Sequence, residues 1–339
     1  MSIEVKNVTK TYKINDNQQL NIFKKIFTPD YKYIKAVDDI SFNVEDGEFV
    51  GYIGSNGAGK STTLKMLSGI LTPTQGKIIV NGISPSENRK ENAKRIGVVF
   101  GQRSQLLWDL PVIDTLNLYQ KMYKITDKTF KTNLNKMDDI LRISEFINQP
   151  ARQLSLGQKM KANIVLALIH DPKILFLDEP TIGLDVLSKD NIRKMLKEIN
   201  KNTRVTVMLT THDLSDVQDL CERIILINKG NIKYEGQKDY FLDKYSTEGV
   251  VKVTFADNND EIQNISFAKN SEEGRIKSYS FDKNIISELE AIKYIVNNYN
   301  IVDIKLEYAT LEDVVKDMFL REDLNDDVGK NKINNLGYG

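Results

Sequence analysis

The sequence predicts an α/β protein with a mostly parallel, doubly covered sheet, followed after about residue 240 by a small α+β part. Three observations predict it. "KILFLDEP", "RVTVMLTTH" and "RIILINKG" are continuous apolar runs, each near a helical segment, as strands buried on both faces read. A glycine loop, "GSNGAGKST", lies between the apolar strand "EFVGYI" and an amphipathic helix. Beyond it, "GVVKVTFA" and "GRIKSYSF" alternate with period two, the pattern of half-buried strands.

In chain order, the alternation from Ile3 to Val8 predicts a strand ending at Tyr12. Residues 13–35 interrupt it with a polar linker and a stretch, "NIFKKIFTPDYKYIK", that mixes lysines with aromatic residues. Next comes "SFNVEDGEFVGYIG", with Asp46-Gly47 as a turn signal. After the glycine loop, Leu64, Leu67 and Ile70 fall at helical spacing in "KSTTLKMLSGI". "KIIVNG" and "RIGVVFG" are short strands, and residues 112–150 read as a polar helical lobe. The three buried runs follow. The last part reads as two strands, a helix in "IISELEAIKYIVNNY", a strand in "IVDIKLEYA" and a final helix in "TLEDVVKDMFL". The tail "DLNDDVGKNKINNLGYG" has almost nothing to bury and is expected to be disordered. The expected domains are thus 1–240, with a helical subdomain near 105–165, then 241–322, then a tail from 323.

Lys plus Arg and Asp plus Glu are both 47, so no net field draws the chain to nucleic acid or anionic lipid. A single cysteine, Cys221, excludes an internal disulfide and suits a reducing compartment. The start "MSIEVKNVTKTY" lacks a signal-peptide layout, and no apolar run approaches the roughly 20 residues that span a bilayer. A cytoplasmic location is expected, and any spanning part must come from another chain.

The loop Gly54, Ser55, Asn56, Gly57, Ala58, Gly59, Lys60, Ser61 and Thr62 fits G-x-x-x-x-G-K-[ST]. Its glycines turn successive N–H groups inward as a nest for phosphate oxygens. Lys60 would reach the β- and γ-phosphates of a nucleotide, and the Ser61 hydroxyl would ligate Mg²⁺. Asp178 and Glu179 end a buried strand, where one carboxylate can hold the metal and the next polarise water. In "RQLSLGQKMK", Ser155 and Gln158 have capping-box spacing, and Gly157 permits close backbone approach. That decapeptide alone reads first as a well-capped helix start, with an anion site as the other reading.

Together these motifs resemble the ATP-binding cassette ATPases, the motor subunits of ABC transporters, over about residues 1–240. The resemblance implies a P-loop NTPase (RecA-like) core, an antiparallel β subdomain and an inserted α-helical subdomain. "LSLGQ" resembles the signature LSGGQ, with Ser155, Gly157 and Gln158 matching and Leu156 departing from the glycine. In the family this loop contacts the γ-phosphate of ATP held by the opposite subunit. Tyr12 resembles the aromatic that stacks on adenine, although a packing Tyr looks the same in sequence. Gln102 resembles the glutamine that senses γ-phosphate and Mg²⁺; Gln105 is near enough to compete for that register. Asp185 in "IGLD" resembles the loop crossing the dimer interface, and His212 the switch histidine on the γ-phosphate. His170 sits at a helix C-terminus, where a cation suits the dipole, and has no assigned site role.

The resemblance implies ATP hydrolysis, with Glu179 as base and Lys60, Gln102 and His212 serving the γ-phosphate. It implies a second ATPase subunit, a separate transmembrane permease, a location on the inner face of the membrane and no nucleic-acid partner. "TLEDVVKDMFL" resembles the C-terminal helix of export-type subunits. Two rival readings are a soluble member acting on a partner such as the ribosome and an ATP-gated binding module. Paired cassettes or long coiled-coil insertions would mark the first, and loss of Glu179 or His212 the second. The stretch at 13–35 remains open between lipid headgroups, a permease loop and a solvated insertion.

Overall fold

In the first unit, Met1–Gly236, strands alternate with helices outside one helical lobe, and the loops that carry the chemistry leave the C-terminal ends of one sheet's strands. The computed structural model describes residues 1–15, 31–101 and 104–320. Strands β1 (Ile3–Asn15), β2 (Tyr31–Val44) and β3 (Phe49–Ile53) precede helix α1 (Lys60–Leu67). Then come β4 (Gln75–Val80), α2 (Arg89–Ala93) and β5 (Ile96–Phe100). The helical lobe is α3 (Val112–Tyr123), α4 (Asp127–Leu141) and α5 (Leu156–Leu168). The unit closes with β6 (Ile174–Asp178), α6 (Val186–Thr203), β7 (Thr206–Thr211), α7 (Leu214–Leu220), β8 (Arg223–Asn228) and β9 (Asn231–Gln237).

The main sheet has the order β5-β6-β7-β3-β8-β9, and β5, β6, β7, β3 and β8 pair in parallel. Leu175, Phe176 and Leu177 of β6 are fully buried, which is why that run alternates in neither face nor polarity. Burying each such side chain is worth about 1.5–3 kcal/mol. A second sheet, β2-β1-β4, is antiparallel and closes over the same core. This is the mixed α/β architecture the sequence predicts. Because β3, β5, β6 and β7 run in parallel, their C-terminal ends open on one crevice, the usual ligand position in such sheets.

Several local expectations are corrected. The linker at 13–35 is shorter: β1 continues to Asn15 and β2 starts at Tyr31, pairing Tyr12 with Ile34 and Asn15 with Tyr31. Residues 16–30 lie outside the described residues. Helix α1 stops at Leu67 and Gly69 turns with φ +79°, so Ile70 is exposed rather than on a buried helix face. His170 is a packing ring, not a dipole-facing cation. It stacks on Tyr123 with centroids 4.0 Å apart, its Nε2 lies 3.0 Å from the Ile96 carbonyl, and burial pushes its pKa down.

The second unit, from Gln237, holds α8 (Lys238–Tyr245), β10 (Glu248–Phe255), β11 (Phe267–Glu273), β12 (Ile276–Asp282), α9 (Glu288–Asn298) and β13 (Ile301–Glu307). Its antiparallel sheet has the order β11-β12-β10-β13, and residues 311–320 are helical. Val251, Val253, Phe255, Tyr279 and Phe281 form its core with Ala291 and Ile295 of α9. A full capping box at Ser287 and Glu290 starts that helix. Helix α8 and strand β11 were not foreseen. The expected disordered tail lies outside the described residues.

Candidate functional site

The turn from β3 into α1 is built around glycine. Gly59 has φ +111°, and a Cβ there would lie 2.4 Å from the Ala36 carbonyl oxygen, so no other residue fits. The loop is pinned by Ala58 N–H donating to Ser55 O (3.1 Å) and Gly230 N–H donating to Ala58 O (3.0 Å). Helix α1 starts with no side-chain cap, so its first-turn amides have no partner from a cap residue. The Lys60 ammonium donates to the Gly54 and Ser55 carbonyls at 2.7 and 3.0 Å. Burial draws its pKa below the ordinary value, against the opposing pull of Glu179 and Asp178.

Asp178 ends β6 with Oδ1 accepting from Thr210 Oγ1 at 2.6 Å and from Ser61 Oγ at 3.3 Å. Thr210 is the residue that sequence reasoning missed here: it is fully buried on β7, and it orients the carboxylate toward the glycine loop. Glu179 takes a left-handed backbone, φ +56°, and its Oε2 lies 2.7 Å from His212 Nδ1. Gly101 explains itself at this point. Its N–H donates to the Asp178 carbonyl at 2.7 Å, and a Cβ there would stand 2.0 Å from the Glu179 carbonyl oxygen.

These groups share a cleft of about 760 Å³ lined by Asn56, Gly57, Gly59, Lys60, Ser61, Thr62, Asp178, Glu179 and His212, with Ala36, Lys65, Ile70, Phe100, Gly101 and Ile182. The sequence therefore placed nine of its candidates here by number, while the apolar wall of Ile70, Phe100 and Ile182 went unforeseen. Gly54 and Ser55 hold Lys60 from behind, and Ala58 is buried.

Other candidates stand apart. Tyr12 does not line this cleft; it lies on β1 opposite Ile34, with the Lys10 ammonium 5.6 Å from its ring centroid. Gln102 lies outside the described residues. Gln105 is occupied structurally, its Nε2 donating to Val98 O at 3.0 Å and its Oε1 accepting from Tyr119 OH at 3.1 Å. Ser155, Gly157 and Gln158 open α5 away from the cleft lining, with both bonds of the capping box made. Asp185 caps α6 through Ser188 N–H at 2.9 Å, and the Ser188 hydroxyl bond holds its carboxyl below the usual range. Leu156, Val186 and Leu187 are all exposed beside these two loops.

The donor set fits Mg²⁺ rather than a transition metal. Ser61 Oγ and Asp178 Oδ1 are hard oxygens on the same wall, and no group of three His, Cys, Asp or Glu side chains arranged to hold a metal ion is found among the described residues. Mg²⁺ is usually held by one or two protein oxygens plus phosphates and waters. No helix among the described residues is long and apolar enough to cross a membrane.

Comparison with known proteins agrees with this geometry. The family model described as ABC transporter matches residues 37–182. The ABC transporter ATP-binding protein NatA of Bacillus subtilis is 33% identical over 217 residues, 64% of this chain and 88% of that protein. The Methionine import ATP-binding protein MetN 2 of Bacillus anthracis is 30% identical over 307 residues, 88% of each chain. A solved dimer of the ATP-binding cassette MJ0796, bound to ADP and Pi in a post-hydrolysis state, superposes with a TM-score of 0.58. It is 28% identical and covers 69% of this chain and 98% of its own. With most of a curated relative's length aligned and the glycine loop meeting Asp178 and Glu179 in one cleft, the chain belongs to the ABC transporter family and is an ATP-binding ATPase of that family.

Proposed function

We propose that this chain is the ATP-hydrolysing subunit of a membrane ABC transporter, working as a pair of cassettes on a separate permease at the inner face of the membrane. One observation carries the catalytic part: Glu179 and His212 meet at 2.7 Å in the cleft that also holds Lys60. The water that attacks the γ-phosphorus gives its proton to Glu179. His212 supports Glu179 at first and then donates toward the γ-phosphoryl oxygens, where charge develops. Lys60 exchanges its two carbonyl partners for β- and γ-phosphate oxygens, an electrostatic contact that its burial strengthens. Ser61 and Asp178 would hold Mg²⁺, which supplies charge neutralisation on the phosphates. Thr210 keeps Asp178 aimed.

The exposed Leu156, Val186 and Leu187 next to Ser155 and Asp185 support a second copy lying over the cleft, with Ser155, Gly157 and Gln158 reaching its nucleotide. For direction we propose export, supported by the likeness of "TLEDVVKDMFL" to export-type subunits. The methionine-import relative that spans 88% of this chain favours uptake instead, and flux in vesicles holding the co-purified permease separates the two. Glu179→Gln is the test of mechanism. Phosphate release should fall at least a hundredfold while MgATP still binds. Turnover equal to the parent removes Glu179 from its assigned role.

A further inference from the structure

We propose that Thr181, Asp216 and Arg193 form a positioning device that keeps Glu179 and His212 in register; it rests on the catalytic reading above and names what sustains that pair. Glu179 sits in a left-handed conformation that a non-glycine residue leaves unless its surroundings fix it. Its own amide is tied to the Thr210 carbonyl at 2.8 Å, and its carbonyl accepts from Ile182 N–H at 3.3 Å. The first bond ties the Glu179 backbone to the strand that ends just before His212, and the second stays within its own segment; neither reaches the helix that follows His212.

A second tie, to that helix, is made two residues further on. The buried Thr181 hydroxyl donates to Asp216, in the first turn of α7, four residues beyond His212. Asp216 is a fully buried carboxylate, which is stable only when charge-paired. Arg193 supplies the charge from α6, its Nε donating to Asp216 Oδ1 at 2.6 Å. The same guanidinium reaches Ser215 Oγ at 2.7 Å and Asp219 Oδ2 at 3.1 Å, so it spans α7. One rigid planar fork therefore fixes Asp216, and Asp216 fixes Thr181. The segment after Glu179 and the segment after His212 thus share one anchor outside the cleft. None of the three side chains lines the cleft, so none is placed to touch a nucleotide held there.

Thr181→Val removes the hydroxyl with little change of shape, and Thr181→Ser restores it. Measured on the full chain, with rate per ATP-binding site set by titration, Thr181→Val should lower kcat about tenfold and leave KM for MgATP within about twofold, since a small misplacement at a reacting centre costs rate more than binding. Thr181→Ser should retain the parent kcat. Asp216→Asn should reproduce the kcat loss, because a neutral amide cannot hold Arg193 as a carboxylate does. A parent-like kcat in Thr181→Val, a loss confined to KM, or equal losses in the Val and Ser variants each overturn the proposal. Glu179→Gln run alongside separates the two readings. If it is inactive while Thr181→Val is normal, positioning alone fails; if it turns over normally, the catalytic reading fails and the positioning proposal with it.

Discussion

Helices α1 and α5 both begin on a glycine-containing turn, and their N-termini are finished in opposite ways. At α1 the cap residue is Gly59, which has no side chain to offer, and no acidic residue stands in the first turn. At α5 Ser155 Oγ accepts from Gln158 N–H at 3.2 Å and Gln158 Oε1 accepts from Ser155 N–H at 2.9 Å. One terminus leaves its amides for an external anion; the other has satisfied two of its donors within the chain. Sequence offers both as candidate anion sites, the second against the rival reading of a well-capped helix, but only α1 lies in the cleft with Lys60 beside it. A capping box consumes donors that a phosphate would otherwise use, so α5 can serve a nucleotide only from outside, through its exposed edge at Leu156 beside the half-buried Gly157.

Lys60→Met breaks the stronger half of this comparison. The glycine loop and its amides remain, but the one ammonium among them is gone. Phosphate release should fall by about 10²–10³, the usual cost of one aimed electrostatic partner. The fold should not suffer, because Met fills the buried stem without a charge that burial disfavours. Steady-state ATPase rates together with a thermal melt check both statements. A rate within threefold of the parent would mean that the α1 amides alone carry the site.

Ser155→Ala should act on the other half through stability. Losing an N-cap of this kind costs about 1 kcal/mol, read as a shift of the urea midpoint at unchanged slope. Affinity of a single chain for MgATP should stay within twofold of the parent, since Ser155 does not line its own cleft. A loss of affinity matching that of Lys60→Met would place the two termini on the same nucleotide in one chain.

Much of this was legible because burial writes itself into composition. Strands β6, β7 and β8 are covered on both faces and read as continuous apolar runs. Strand β11 could not be read so, since only Phe267 of its seven residues is buried and an exposed edge leaves no period-two signal. The start of β2 is hidden for the same reason: Tyr31–Lys35 are all exposed, and only pairing with β1 makes them a strand. In the site, motif spacing identified groups that lie within one loop. Thr210 and Asp216 escaped because each acts on a carboxylate or hydroxyl brought from another element, a juxtaposition that only the folded sheet creates. Ile70 failed by extrapolation, a helical period carried past the turn at Gly69.

Helix α7 offers a third terminus, intermediate between the other two, and the smallest expected effect. Its cap is Asp213, next to His212, whose Oδ1 accepts from Ser215 N–H at 3.2 Å while Oδ2 accepts from Lys189 at 2.5 Å. Burial works to raise the Asp213 pKa, but the bonds from Lys189 and Ser215 outweigh it and hold the carboxyl below the usual aspartate range. A carboxyl lowered in the folded state releases its proton more readily there than in the unfolded chain, so it stabilises the fold above the unfolded value. That contribution disappears as pH falls through the lower, folded value. Asp213→Asn keeps an oxygen for the cap and removes only the charge. It should cost less than about 1 kcal/mol at pH 7, as partly exposed ion pairs do. The gap between variant and parent should close on acidification, once the parent's carboxyl is protonated as well. Urea midpoints for both proteins along a descending pH series measure this. A gap that stays constant into acid would assign the effect to cap geometry, and α7 would then belong with α5 as a terminus finished by shape rather than by charge.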